Sequence, residues 1–252
     1  MKTPLSRLDG NFDGIANKFD ENIYGTTKGK LRHQLLVQCL SSYINSSPLN
    51  VLDVGGGTGM MSAEFAKHGH HVTIADISQE ALVIAKQRLK DFPNTVFINC
   101  DIGELTGRYD FIICHAVLEW LNEPLSVLLY LHSLLRPQGI MSLSFFNHDA
   151  KVFNNLLYGN FDYVEKGLPS KNTVRLNPHN AQSPRKVIDF IQKSSLYNII
   201  ESRGIRCFHD YMLDKSKIDP LYQQLFAMEI KYGGSEPYKW LGKYFHIMLQ
   251  AR

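Results

Sequence analysis

No stretch of the 252-residue chain approaches the roughly 20 consecutive apolar residues a helix needs to cross a bilayer, and the opening MKTPLSRLDGNFDG lacks the apolar core of a signal peptide. A cytoplasmic location is expected. Cysteine is scarce and scattered: Cys39, Cys100, Cys114 and Cys207 form no CxxC pair and have no local His/Cys ligand spacing. Neither a disulfide framework nor a zinc module is indicated, no metal is expected, and the thiols read as buried, with Cys100 and Cys114 at strand ends. There is no internal repeat, low-complexity run or flexible linker. Charge of one sign is also lacking. The net +3 is too small to announce nucleic acid, although it is unevenly placed, at −2 over residues 1–148 and +5 over 149–252. That surplus fits a solvated surface or a phosphate-tracking face. What is present, 44% hydrophobic and 20% charged residues, is ordinary globular composition with material for a sizeable core.

From Leu49 onward short β-rich runs alternate with helical patterns, the arrangement of parallel strands joined by right-handed crossovers. The runs are Asn50–Val54, His71–Ala75, Thr95–Asn99, Tyr109–Cys114 and Ile140–Phe146; Met60–Lys67, Gln79–Leu89 and Pro124–Leu135 between them carry apolar residues at helical spacing. The fold class is therefore α/β with an open, mostly parallel sheet, in one domain. Residues 1–48, helical around Phe12–Phe19 and Leu31–Tyr43, are expected to form a lid, 49–146 the cofactor-binding core, and 147–252 a C-terminal half with substrate-side insertions at 147–183 and 211–238. A helix near Pro184–Ser194, a strand near Tyr197–Phe208 and a last strand around Tyr244–Gln250 complete the outline.

The strongest local signal is Val51-Leu52-Asp53-Val54-Gly55-Gly56-Gly57-Thr58-Gly59, an apolar strand running into a glycine turn and a helix. Glycines let backbone approach a ligand closely, and a helix start presents unpaired N–H groups. A lone glycine motif is weak, but its context strengthens it. Asp76 closes the second strand, where a carboxylate can accept both ribose hydroxyls of an adenine nucleoside; it could instead cap the next helix, a role Ser78 fits better. Asp101, Ile102 and Gly103 end the third strand, where a carboxylate and backbone N–H groups can read an adenine edge. His115 ends the fourth and faces the same crevice. With Leu134–Gly139 before strand five, these features resemble the class I S-adenosylmethionine-dependent methyltransferases, whose seven-stranded sheet has an antiparallel last strand between the fifth and sixth. Gln138 stands where that family's loop commonly has glycine.

The acceptor is narrowed by absences. His115-Ala116-Val117-Leu118-Glu119-Trp120 lacks the Asn/Asp-Pro-Pro-aromatic loop of adenine-amino methylases, and Cys114 in FIICHAV has no Pro-Cys context for attack on a pyrimidine. Transfer to an oxygen or carboxylate remains, and asks mainly for alignment. Asn11-Phe12-Asp13, Ile15-Ala16 and Lys18-Phe19, then Asn22-Ile23-Tyr24-Gly25-Thr26-Thr27-Lys28-Gly29 and Leu31-Arg32, together with HAVLEW at 115–120, GNFDYV at 159–164, FHDY at 208–211 and EPY at 236–238, are similar to the bacterial tRNA 5-carboxymethoxyuridine methyltransferases over nearly the whole chain. The loop around Glu104–Arg108 looks shorter here.

The resemblance implies methyl transfer from S-adenosylmethionine to the carboxylate of 5-carboxymethoxyuridine at the tRNA wobble position, with the anticodon stem-loop as partner. It also implies cofactor contacts at Arg32, Gly55, Gly56, Asp76, Ile102, Gly103 and His115; Asp101 joins them from its strand-end place. Arg32 would fork onto the methionine carboxylate. For the RNA, a basic and aromatic set of Tyr24, Lys28, Tyr163, Lys171, Arg175, Arg203, Arg206, His209 and Tyr211 offers cations for phosphates and rings for an unstacked base, with Lys28, Arg203 and Arg206 foremost. A methyltransferase for a small-molecule carboxylate or phenol, a binding module without turnover and a nicotinamide dehydrogenase are the competing readings.

Overall fold

Strand β1 (Asn50–Val54) is apolar at Val51, Leu52 and Val54, all fully buried, because it runs between two parallel neighbours with helices over both sheet faces. The computed structural model describes residues 25–169 and 180–252. The other strands are β2 (His71–Asp76), β3 (Thr95–Asn99), β4 (Tyr109–His115), β5 (Leu135–Phe146), β6 (Tyr197–Ile205) and β7 (Tyr244–Ala251), in the spatial order β3-β2-β1-β4-β5-β7-β6. β7 is antiparallel to both β5 and β6, as the resemblance led us to expect. The order turns back between β1 and β4, so their carboxyl ends open the crevice in which such sheets bind ligands.

One face is covered by α4 (Pro124–Leu134) and α7 (Pro184–Ser194), which bury Leu128, Leu131, Val187 and Ile191 with Phe145 of β5. The other is covered by α1 (Thr27–Ile44), α2 (Met60–Ala66), α3 (Gln79–Arg88) and α8 (Tyr222–Tyr232), which bury Leu31, Leu35, Leu40, Phe65, Leu82 and Leu225 against Phe111. Among the described residues no helix is long and apolar enough to cross a membrane.

Within the segment expected as a lid, α1 packs by Leu31, Leu35, Leu36, Leu40 and Ile44, none more than 3% exposed, so this part is a wall built into the body. Phe12–Phe19, Tyr24, Lys171 and Arg175 lie outside the described residues. β5 starts at Leu135, five residues before the run expected from its alternation, and Gln138 there takes φ +61, the left-handed conformation that ordinarily favours glycine. The described residues of 147–183 include the helices α5 (His148–Leu157) and α6 (Phe161–Glu165), and 211–238 holds α8. Of the thiols, Cys114 and Cys207 are buried, whereas Cys39 and Cys100 are only partly so.

Candidate active site

The chain leaves β1 with Gly55 at φ +62. A Cβ on Gly55 would come within 2.7 Å of Val117 Cγ2, and one on Gly56 would meet Ile74 at 2.7 Å and Asp53 at 3.0 Å. Glycine is thus demanded twice, by backbone angle and by the closeness of the next layer. The Gly55 and Gly56 amides donate to the Ala75 carbonyl at 2.8 and 3.2 Å, tying the turn to the end of β2. Asp76, buried beside it, accepts from the Gly57 amide with one oxygen and from the Ser78 amide with the other, each at 2.8 Å. Ser78 itself caps α3, accepting the Ala81 amide at 3.2 Å.

Two cavities meet at this turn, both lined by Gly55. The first, about 490 Å³, is walled by Asp76, Ile77, Ile102, Leu105, Val117 and Trp120. Its apolar walls with one carboxylate suit a flat heterocycle joined to a diol. The second, about 420 Å³, is lined by Arg32, His33, Asp53, Gly56, Met61 and His115. It carries charge of both signs. Asp53 is raised to about 7 by burial, with the Ser62 hydroxyl, donating at 2.6 Å, opposing and the nearby Asp76 reinforcing. The Arg32 guanidinium sits 4.3 Å from the Tyr244 ring centroid, and the His33 Nε2 lies 3.5 Å from Glu64 Oε1.

His115 Nε2 lies 2.7 Å from Ser142 Oγ, and the same hydroxyl lies 2.8 Å from His246 Nε2. One hydroxyl donates only once, so it donates to one imidazole and accepts from the other. Burial, then the neighbouring His246, Arg32 and His33, holds His115 well below the usual imidazole range; burial and Arg203 bring His246 to about 3. Both rings are neutral near pH 7. Beside them Glu119, 1% exposed, is pushed up to about 7 by burial against bonds from backbone amides and the pull of Arg32.

Gly55, Asp76 and Ile102 therefore line the first cavity, and Arg32, Gly55, Gly56 and His115 the second. Asp101 and Gly103 line neither. Asp101 Oδ1 accepts the Gly103 amide at 2.9 Å, and the Asp101 amide donates to Glu104 Oε2 at 3.3 Å, a reciprocal cap that uses the groups expected to read a base edge. Trp120, Val117 and Asp53 were not singled out in the sequence, although HAVLEW and the aspartate of the glycine motif marked their neighbourhoods.

The RNA-facing set needs correction. Arg203, 8% exposed, donates to the Glu229 and Ile230 carbonyls at 3.2 and 2.9 Å from within the sheet. Arg206, 6% exposed, is held by both Asp210 oxygens, one bond at 2.8 Å and one shorter. His209 Nδ1 lies 3.3 Å from Asp210, and burial's upward push on that carboxyl is overcome by His209 and Arg206, which keep it well below its usual range. Tyr211 donates to the Leu241 carbonyl at 2.9 Å. Glu229, 1% exposed, collects the amides of Cys207, Phe208 and His209 at 2.6, 2.9 and 3.0 Å. These charges knot the 206–211 turn to α8. Tyr163 is half-buried and donates to the Pro169 carbonyl at 2.9 Å, while Lys28 stands exposed on the first turn of α1.

A family model described as a methyltransferase domain matches residues 27–209. The chain is 39% identical over 249 residues, 95% of each chain, to the tRNA 5-carboxymethoxyuridine methyltransferase of Escherichia coli strain K12. Among solved structures it is similar to the magnesium protoporphyrin IX methyltransferase of Synechocystis PCC 6803 with bound S-adenosylmethionine, at TM-score 0.60, 18% identity, and 96% and 93% coverage. It is also similar to the N-methyltransferase NodS of Bradyrhizobium japonicum with S-adenosyl-L-homocysteine, at TM-score 0.55, 17% identity, and 89% and 87% coverage. At such identities the solved structures speak to the fold, and the fold with its glycine turn, strand-end acid and near-full-length relative agree: the chain belongs to the methyltransferase domain family and, within it, to the tRNA 5-carboxymethoxyuridine methyltransferases.

Proposed function

We propose that the protein methylates the carboxylate of 5-carboxymethoxyuridine at the wobble position of tRNA, using S-adenosylmethionine and producing the methyl ester. The observation that carries this reading is the pair of cavities joined at Gly55, one apolar with a single carboxylate and one charged with both signs. The glycine cradle, which any Cβ at Gly55 or Gly56 would fill, fits an adenosine joined to an amino acid. Asp76 would hold the ribose, Ile102, Val117 and Trp120 the adenine, and Arg32 and Asp53 the two ends of the amino acid. When bound, S-adenosylmethionine supplies a methyl group on a positively charged sulfur.

The remaining work is positional. A carboxylate of ordinary pKa, near ~4, is already ionised at neutral pH, so no general base is required. His115, kept neutral and anchored through Ser142, offers a rigid uncharged wall beside the reacting groups and would neither take nor give a proton. Charge is partly cancelled as the methyl moves, so a dry, weakly cationic site favours the transition state. The partner would be the anticodon stem-loop, met by residues 147–252, and the setting the cytoplasm. The test is nucleoside mass spectrometry of tRNA lacking the ester after incubation with purified protein and methyl-labelled S-adenosylmethionine. Label is expected in the ester and should vanish on mild alkali; unlabelled tRNA, despite cofactor binding, would move the reading to a small-molecule carboxylate or phenol.

A further inference from the structure

With Arg203, Arg206 and His209 buried, the acceptor's anion needs another holder, and the cations facing the open end of the sheet supply one. Lys243 immediately precedes β7. Its amide donates to the Arg206 carbonyl and its carbonyl accepts the Asn147 amide, both at 3.1 Å, so its backbone is pinned on two sides. Asn147, fully buried, makes the pin firm by donating to the Trp240 and Gly242 carbonyls at 2.9 Å and capping α5. From there the Lys243 ammonium lies 4.9 Å from the Phe146 ring centroid. Phe146 pairs across the sheet with Tyr244 at 5.6 Å, and Tyr244 carries Arg32 on its ring. The line Arg32, Tyr244, Phe146, Lys243 thus leads from the cofactor cavity along the edge where an acceptor would enter.

Lys243 stands among other cations. Burial depresses the Lys243 ammonium, Asp210 opposes this, and Arg206, Lys151 and Lys28 depress it further. Asp210 is already committed to Arg206 and His209. Among the described residues the Lys243 ammonium makes no hydrogen bond or ion pair, and the Lys151 amine reaches only the Leu168 carbonyl at 3.4 Å. A partly buried ammonium without a counter-ion is unfavourable unless an anion completes it.

We propose that Lys243, supported by Lys151, binds the carboxylate of the acceptor base and thereby selects the free acid. This rests on the function proposed above. One ammonium bonding one carboxylate oxygen leaves the other free to attack. That oxygen forms the bond to the methyl carbon, the carbon–sulfur bond breaks with its electron pair left on sulfur, and no proton moves. The ester has lost the negative charge that Lys243 holds, which also favours product release.

The test uses the full-length protein and anticodon stem-loop RNAs bearing either 5-carboxymethoxyuridine or plain uridine. Without cofactor, wild type should bind the acid-bearing RNA more tightly, and Lys243→Met should remove that preference while leaving affinity for the uridine RNA and for S-adenosylmethionine unchanged. With cofactor, Lys243→Met should lower kcat/KM for the acid RNA about 10- to 100-fold, the scale of a lost charged hydrogen bond. Lys243→Arg should recover part of the loss, and Lys151→Met should give a smaller loss in the same direction. Equal loss of affinity for both RNAs would mean a phosphate contact and overturn the assignment, as would unchanged kcat/KM in the folded Lys243→Met protein. Wild type that discriminates the acid in binding but never methylates it would sink the proposed reaction and leave the lysine assignment standing; wild type that does neither sinks both.

Discussion

The crevice at the carboxyl ends of β1, β2 and β4 and the knot around Arg206, Asp210 and Glu229 are both built from short, polar, motif-rich sequence, yet one is open and the other shut. In the crevice, glycines at positive φ withdraw side chains and leave backbone next to empty space. In the knot, charged side chains meet one another and the backbone of a turn, and Arg206, His209 and Glu229 are each 8% exposed or less. Polarity alone does not distinguish a ligand site from a structural clasp; the count of satisfied partners does.

The largest effect should come from breaking the clasp. Glu229→Ala strands three amides, two of them buried, and should cost about 3–5 kcal/mol of stability by chemical denaturation, whereas a protein of wild-type stability would show that the turn holds itself. Next, Gly55→Ala should abolish measurable cofactor binding by calorimetry, since its Cβ would enter Val117 and both cavities share this residue; retained affinity would separate the two cavities. Asp76→Ala should weaken cofactor binding by about 10- to 100-fold if the carboxylate holds a diol, and should also lower Tm because Gly57 and Ser78 lose their acceptor. Undiminished affinity would leave Asp76 as a fastening alone.

Smaller effects sharpen the same contrast. Asp53 titrates at about 7 in the folded protein and near ~3.9 when unfolded, so the folded state holds the extra proton between those values. The stability this group contributes is full below the unfolded value and is lost as pH rises through 7. Buried His115 and His246 act with the opposite sign over the same range, so the test is a difference: the Tm of the cofactor-free wild type minus that of Asp53→Asn should fall from pH 5 to pH 8, and a constant difference would remove Asp53 from the account. Glu119, also raised to about 7, acts in the same direction as Asp53. Last, Lys28→Met should reduce the salt dependence of tRNA binding by about one phosphate contact without altering stability, because this lysine is exposed.

What was legible in advance followed the range of the physics involved. Val51–Gly59 declares a strand, a turn and a helix start through local rules, and Thr95–Asn99 and Pro184–Ser194 show the bounds expected of them. α5 was missed because Ala150 is its one buried residue and a side-chain cap at Asn147 holds its start. α8 was missed because its buried side includes Glu229, which reads as polar surface until the amides it collects are seen. Arg203 misled for the same reason: arginine spends most of its existence in water, and only the carbonyls of Glu229 and Ile230 make its burial tolerable.

By itself, then, the amino-acid order determined the alternating strands and helices, the glycine turn with Asp76 behind it, and the family, since each depends on residues near in sequence or on a pattern running the length of the chain. Tertiary structure alone decided that Asp53, Val117 and Trp120 complete the cavities, that Asp101 closes on its own turn, and that Arg203, Arg206 and His209 face inward while the Lys243 ammonium makes no ion pair among the described residues. Burial and pairing join residues far apart in the chain, and a charge takes its meaning from the partners the fold brings to it.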